Sequence, residues 1–222
     1  MITDFALYAE GTTDQRFLIP VITHLVQDMG INIAIEAKLI SLPATLGVAD
    51  AILEAARKAA PYDFLVIHKD TDKRSWQATY DQLIQPGLEK IRQTQQIEPK
   101  IALCQHIVAL LPQHTIEAWV IADQVTLIDM LETSKNADEL GLPKLKEVER
   151  KANPKEILRA ALRISMEDRP QRQRKQANFS EMLGRLYASI GEDVRLEVLR
   201  QLDSFQRFEA DLTVTLQELG FL

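Results

Sequence analysis

The sequence predicts an α/β protein with a mainly parallel sheet flanked by helices and a C-terminal helical extension. Short apolar runs, FALYA at 5–9 and DFLVIH at 63–68, alternate with segments of helical periodicity up to about residue 132. The second run is continuously apolar, as in strands buried on both faces of a parallel sheet. From residue 133 strong strand patterns stop and amphipathic helical segments take over. Residues 1–132 are therefore expected to form the α/β unit, with residues 133–222 a helical extension packed on it.

In chain order, FALYA breaks at Glu10-Gly11, and Phe17, Leu18, Val21, Ile22, Leu25 and Val26 then recur at helical spacing over 14–29. Thr12 or Thr13 is positioned to cap that helix and Gly30 to end it. INIAIEAKLI at 31–40 is β-branched enough for a second strand, and the alanine-rich 47–60 predicts a helix that Pro61 stops. DFLVIH follows, then helical propensity over 75–96 interrupted near Pro86-Gly87. IALCQHIVALL at 101–111 predicts another strand or strand pair, and one helix is expected from Thr115 through IEAWVIADQVTLIDMLE. Asn153-Pro154-Lys155-Glu156 has the order of a helix start. Residues 179–190, 192–202 and 204–219 complete the extension.

The charge balance narrows the function. A net charge of −6 argues against binding nucleic acid through an overall positive field. Residues 1–125 hold 10 basic and 15 acidic residues, against 16 and 17 in residues 126–222, so the acidic excess lies in the α/β part. A cation bound there would reverse the field a phosphate meets. The single cysteine, Cys104, rules out an internal disulfide framework and reads as core filler. Asp4 and Glu10 stand where an export signal would need a basic start and an apolar core, and no apolar run approaches the ~20 residues of a membrane span. A cytoplasmic protein without membrane contact is expected.

The chemistry-bearing residues sit where strands end. In an open parallel sheet, loops leaving the carboxyl ends of strands converge on the ligand crevice. Glu10 ends the first strand, and Asp70 and Asp72 follow a later one. If those strands are neighbours, three carboxylates meet and repel unless protons or a cation intervene. Mg²⁺ or Mn²⁺ suits such oxygen donors and leaves positions for water and substrate phosphate. Asp14, on the first turn of the following helix, is near enough to join them. Gly11 permits a sharp turn and close approach of a phosphate to backbone N–H groups, and Lys69 and Lys73 flank the D-x-D pair as further phosphate contacts.

YAEGTTDQRFL at 8–18 and VIHKDTD at 66–72 resemble the Toprim fold shared by topoisomerases, bacterial primases and nucleases of the overcoming-lysogenization-defect (OLD) family. The resemblance implies a Rossmann-like sheet, Mg²⁺ on Asp70 and Asp72, and Glu10 as general acid or base or as a metal ligand. LPQHTIEAWVIAD at 111–123 resembles small stand-alone Toprim-like proteins of unknown function, which implies Glu117 as an additional ligand. In OLD-like nucleases a lysine beyond the core assists at the phosphate, and Lys175 in RQRKQANFSEML is the matching residue. No G-x-x-x-x-G-K-[ST] occurs and no tyrosine matches a topoisomerase nucleophile motif, so any ATPase would be a separate partner chain. The implied activity is a metal-dependent nuclease, with DNA ahead of RNA as substrate, in defence against phage or mobile elements. A non-catalytic module binding metal and nucleic acid within a larger complex is the alternative, and a homo-oligomer is left open.

Arg163, Arg169, Arg172, Arg174 and Lys175 give residues 163–175 a surplus of three positive charges over Glu167 and Asp168, and Arg172 and Arg174 are the expected phosphate-positioning side chains. His68, His106 and His114 have no zinc-site spacing and read as structural or hydrogen-bonded histidines, with His114, near Glu117, the exception. Trp76 could stack a base, whereas Trp119 belongs to an apolar helix and reads as core.

Overall fold

Among the described residues four strands form one all-parallel sheet in the order β2-β1-β3-β4: β1 Thr3–Tyr8, β2 Ile35–Ile40, β3 Phe64–His68 and β4 Ile107–Leu110. The computed structural model describes residues 3–31, 35–176 and 178–222, with the backbone alone for residues 12, 35, 36, 173, 175 and 176. Alternation along each strand sorts side chains into two apolar layers. Phe5, Leu7, Phe64 and Val66 meet α1 (Thr12–Asp28) and the later helices, while Ala6, Leu65 and Ile67 meet α2 (Val48–Lys58). Both faces of the sheet are covered, which accounts for the unbroken apolarity of DFLVIH.

The 75–96 segment is more continuous than its Pro-Gly pair suggests. α3 (Trp76–Thr79) runs through a π-helical turn at Tyr80–Ile84 into α4 (Gln85–Ile97), where Pro86 occupies the tolerant first turn. Residues 101–111 supply one short strand rather than a pair. Leu103 and Cys104 are buried in non-strand backbone, where the Cys104 N–H donates to the Ala56 carbonyl at 2.9 Å.

The helix expected from Thr115 is two helices, α5 (Glu117–Ala122) and α6 (Gln124–Leu131), broken at Asp123. The carboxylate of Asp123 accepts the Thr126 N–H and so caps α6. The extension continues through a 3₁₀ turn at Leu145–Arg150, α7 (Pro154–Ser165), α8 (Gln171–Gln176), α9 (Phe179–Asp193), α10 (Leu196–Leu199) and α11 (Asp203–Glu218). It shares its core with the sheet, since Phe17 and Val21 of α1 lie in one apolar cluster with Leu186 and Ile190 of α9. Among the described residues no helix is long and apolar enough to cross a membrane.

Gly191 shows how tightly α9 is seated on α1. A Cβ there would lie 2.7 Å from the carbonyl oxygen and 3.0 Å from the Cα of Phe17, both backbone atoms. Gly191→Ala gains about 1 kcal/mol in helix propensity but overpacks a contact that no side-chain rotation relieves, at about 1–3 kcal/mol. A lower urea midpoint with an unchanged m value is the expected result.

Candidate metal and phosphate cleft

The chain leaves β1 toward β2 on one side and leaves β3 toward β4 on the other, so the switch point of the sheet lies between β1 and β3. Tyr8 pairs with Ile67, which brings Ala9-Glu10-Gly11 beside His68-Lys69-Asp70 at the carboxyl ends. Alternation then sorts these residues. His68 follows Phe64 and Val66 onto the α1 face, and Asp70 lies beside it. Lys69 falls on the opposite face, where its Nζ lies 2.9 Å from Glu10 Oε1. Glu10, with 43% of its side chain exposed, lines both the cleft on the α1 side and a cavity on the β2 side.

On the α1 side the cleft has a volume of about 330 Å³ and a carboxylate floor formed by Asp14, Asp70 and Glu117. Asp70 Oδ1 accepts the Ile116 N–H at 3.3 Å. Asp14 accepts the Gly11 N–H at 3.0 Å, so Gly11 rather than a threonine is the N-cap of α1 and its amide is already engaged. Glu117 is nearly buried, accepts the Tyr187 hydroxyl at 2.5 Å and lies 3.9 Å from Lys155 Nζ. His68 is wholly buried beneath the floor, with Nδ1 3.8 Å from Asp14 Oδ2 and Nε2 3.3 Å from Asp70 Oδ1. Among the described residues neither ring nitrogen has a hydrogen-bond partner.

The electrostatics follow from this crowding. Burial pushes the Asp14 carboxyl up, His68 opposes the shift, and the carboxylates of Asp70 and Glu117 add to it. Burial also pushes the Tyr187 phenol up, reinforced by Glu117, so Tyr187 remains a hydrogen-bond donor. Across the cleft, α7 contributes Lys155 and Arg159, and α9 contributes Ser180, Leu183 and Tyr187. An acidic floor therefore faces a basic wall.

Asp72 is held apart from that floor. Its φ of 52° and the φ of 65° at His114 mark two left-handed residues clasped together. The Asp72 N–H donates to the His114 carbonyl at 2.9 Å, and His114 Nδ1 lies 2.5 Å from the Asp72 carbonyl oxygen. Buried Thr71 locks the clasp, donating to the Pro112 carbonyl at 3.0 Å and accepting the His114 N–H at 2.7 Å. Asp72 consequently lines a second cavity with Lys73, Arg74, His114 and Lys155.

Arg172 and Arg174 are exposed on α8 and do not line the cleft, and the Lys175 side chain lies outside the described residues. Lys155 and Arg159 had a sequence signal that went unused: they are spaced i, i+4 around buried Leu158, just inside the Asn153-Pro154 helix start.

Among the described residues no group of three or more His, Cys, Asp or Glu side chains is placed to enclose a metal ion. The donors do fit Mg²⁺ or Mn²⁺ bound in an open manner. Such ions are held by one or two carboxylates and complete their shell with water and phosphate oxygen. Asp14 and Asp70 supply oxygen donors on either side of the buried His68 ring, and a cation would relieve the carboxylate repulsion that adds to the effect of burial on Asp14. The chain matches no family model, no curated protein and no solved structure.

Proposed function

We propose that this chain is a Toprim-like nuclease that hydrolyses phosphodiesters with Mg²⁺ or Mn²⁺ in the cleft between β1, β3 and α7. One observation carries the reading: a carboxylate floor at the switch point of a parallel sheet faces Lys155 and Arg159 across a cleft. Carboxylates alone repel a phosphate, and cations alone hold it without activating water. Their opposition suits a phosphodiester between a divalent ion and a basic wall.

A bound divalent ion supplies neutralisation of phosphate charge and acidification of water. Asp14 and Asp70 would hold it, with Glu117 as a further ligand fixed by Tyr187. His68 packs behind Asp14 and Asp70 and limits their movement. Arg159 offers a planar fork to non-bridging phosphate oxygens and Lys155 a point charge. Glu10, anchored by Lys69 at the mouth of the cleft, orients the attacking water and accepts its proton. A place in defence against phage or mobile elements rests on the resemblance alone.

The alternative is a non-catalytic module that binds metal and nucleic acid within a larger complex. It is favoured by the turn that sends Asp72 to another cavity and by the bond that occupies Glu117. Cleavage and binding of labelled DNA and RNA by wild type and Glu10→Gln, in saturating Mn²⁺, separate the two. Glu10→Gln is expected to lower turnover by about 100-fold while affinity stays within a few-fold. Undiminished cleavage in the variant would remove Glu10 from the chemistry. A wild type that binds metal and cleaves nothing would favour the module.

A further inference from the structure

Three cavities follow one another along the seam between the α/β unit and the helical extension. On one wall the chain runs from Asp70 in the cleft, through Asp72, Lys73 and Arg74 in the second cavity, to Trp76 in a third. The facing wall runs the opposite way along the sequence. Arg159 and Lys155 face the cleft, residues 152–156 the second cavity, and Arg150, Glu149, Lys146 and Leu145 the third. Lys155 lines both of the first two. The cavity volumes are about 330, 520 and 400 Å³.

Beyond the acidic cleft, the seam departs from the acidic balance of the chain. Its second and third cavities are lined by six cations, Lys73, Arg74, Lys146, Arg150, Lys155 and Arg207. They face four carboxylates, Asp72, Glu149, Glu156 and Asp203. Glu149 is held in place within the third cavity, where its two oxygens accept the Asp203 and Ser204 N–H groups at 2.8 and 3.1 Å. At the far end Trp76 is half-buried, stacked on Tyr80 with ring centroids 5.1 Å apart and planes 12° from parallel. The exposed Arg207 guanidinium lies 5.3 Å from the centre of the indole.

We infer that the seam is a binding track for single-stranded nucleic acid, in which the phosphate chain follows the cations and an unpaired base stacks at Trp76 and Arg207. The inference rests on the nuclease reading of the cleft and adds the strandedness of its substrate. An aromatic face set in a concave, cationic cavity accepts a splayed base of any sequence. Duplex bases stack on one another and present only their edges there. A guanidinium over an indole can stack on a base or release to a neighbouring phosphate, and either state serves a strand.

Tryptophan fluorescence reads this site, because the other tryptophan, Trp119, is wholly buried. Single-stranded DNA and RNA oligonucleotides, and a blunt duplex of the same sequence, are titrated in EDTA so that no turnover intervenes. Single strands of either sugar are expected to quench the wild type and to bind more tightly than the duplex. Trp76→Phe should lose the quenching and keep most of the affinity. Trp76→Leu should weaken single-strand binding about 10-fold and leave duplex binding unchanged. Arg207→Gln, which alters no core residue, should lower the salt slope by about one.

Quenching that persists in Trp76→Phe, equal losses on single strand and duplex in Trp76→Leu, or no single-strand binding by wild type would each overturn the track. Cleavage in Mn²⁺ and its dependence on Asp70 are scored separately. A failed track therefore leaves the metal cleft standing, and a failed cleft does not mimic a failed track.

Discussion

Arg195→Met is expected to cost about 3 kcal/mol at pH 7, at the low end of the range for breaking a buried ion pair. Asp123 is fully buried at the α5–α6 break, where Arg195 meets it through Nε at 3.1 Å, Nη2 at 2.5 Å and its backbone N–H at 2.9 Å. The arginine side chain is 42% exposed, so it hydrates readily when unpaired, and the loss arises from the carboxylate left behind. Thr126 still donates through Oγ1 at 2.8 Å, which keeps the cost from rising further. In the wild type, burial pushes the Asp123 carboxyl up, but the bonds from Arg195 and Thr126 outweigh it and hold the carboxyl below the usual range.

A depressed folded-state value gives stability that is complete above the unfolded value, near pH 4, and is lost as pH falls through the folded value. In the variant, burial no longer opposed by Arg195 pushes the carboxyl up, so it regains stability by protonating, and the gap should narrow from pH 7 toward pH 3.5 in urea unfolding. A gap that stays constant would assign the effect to packing alone.

The second large effect concerns chemistry. Asp70→Asn keeps an oxygen acceptor for the Ile116 N–H but removes a charge from the cleft floor. Cleavage is expected to fall about 100- to 1,000-fold, the scale for losing one electrostatic group in an active site. Asp72→Asn should cost less than about tenfold, because its carboxylate opens onto the second cavity. Multiple-turnover rates on one labelled single strand compare the two. Equal losses would mean that both aspartates act at one centre.

What the sequence made legible was whatever local periodicity controls. FALYA and DFLVIH announced strands because both faces of the sheet are buried, and the E-G-x-x-D and D-x-D residues had to emerge at strand ends. Tertiary contacts decided the rest. The left-handed turn that diverts Asp72 exists because His114, 42 residues further on, clasps it with the help of neighbouring Thr71. The break at Asp123 was hidden because Arg195, which compensates for it, lies 72 residues further on. In the sequence Lys155 marks only a helix start and Arg159 stands out in no way; the packing of α7 on α5 sets both opposite the carboxylates. His68 looked like a core histidine, and it is buried; that it lies between Asp14 and Asp70 follows only from the pairing of β1 with β3.

The central claim is that the Asp14–Asp70 floor binds a divalent ion, and a melting curve with increasing Mn²⁺ tests it most directly. At a hundredfold excess over Kd the wild type should gain about 2.7 kcal/mol, a rise of about 5–10 °C for a chain of this size. The double variant Asp14→Asn, Asp70→Asn relieves the carboxylate repulsion and should melt no lower than the wild type without metal, yet show no rise with it. A wild type indifferent to Mn²⁺, or a double variant with the same rise, would contradict the account.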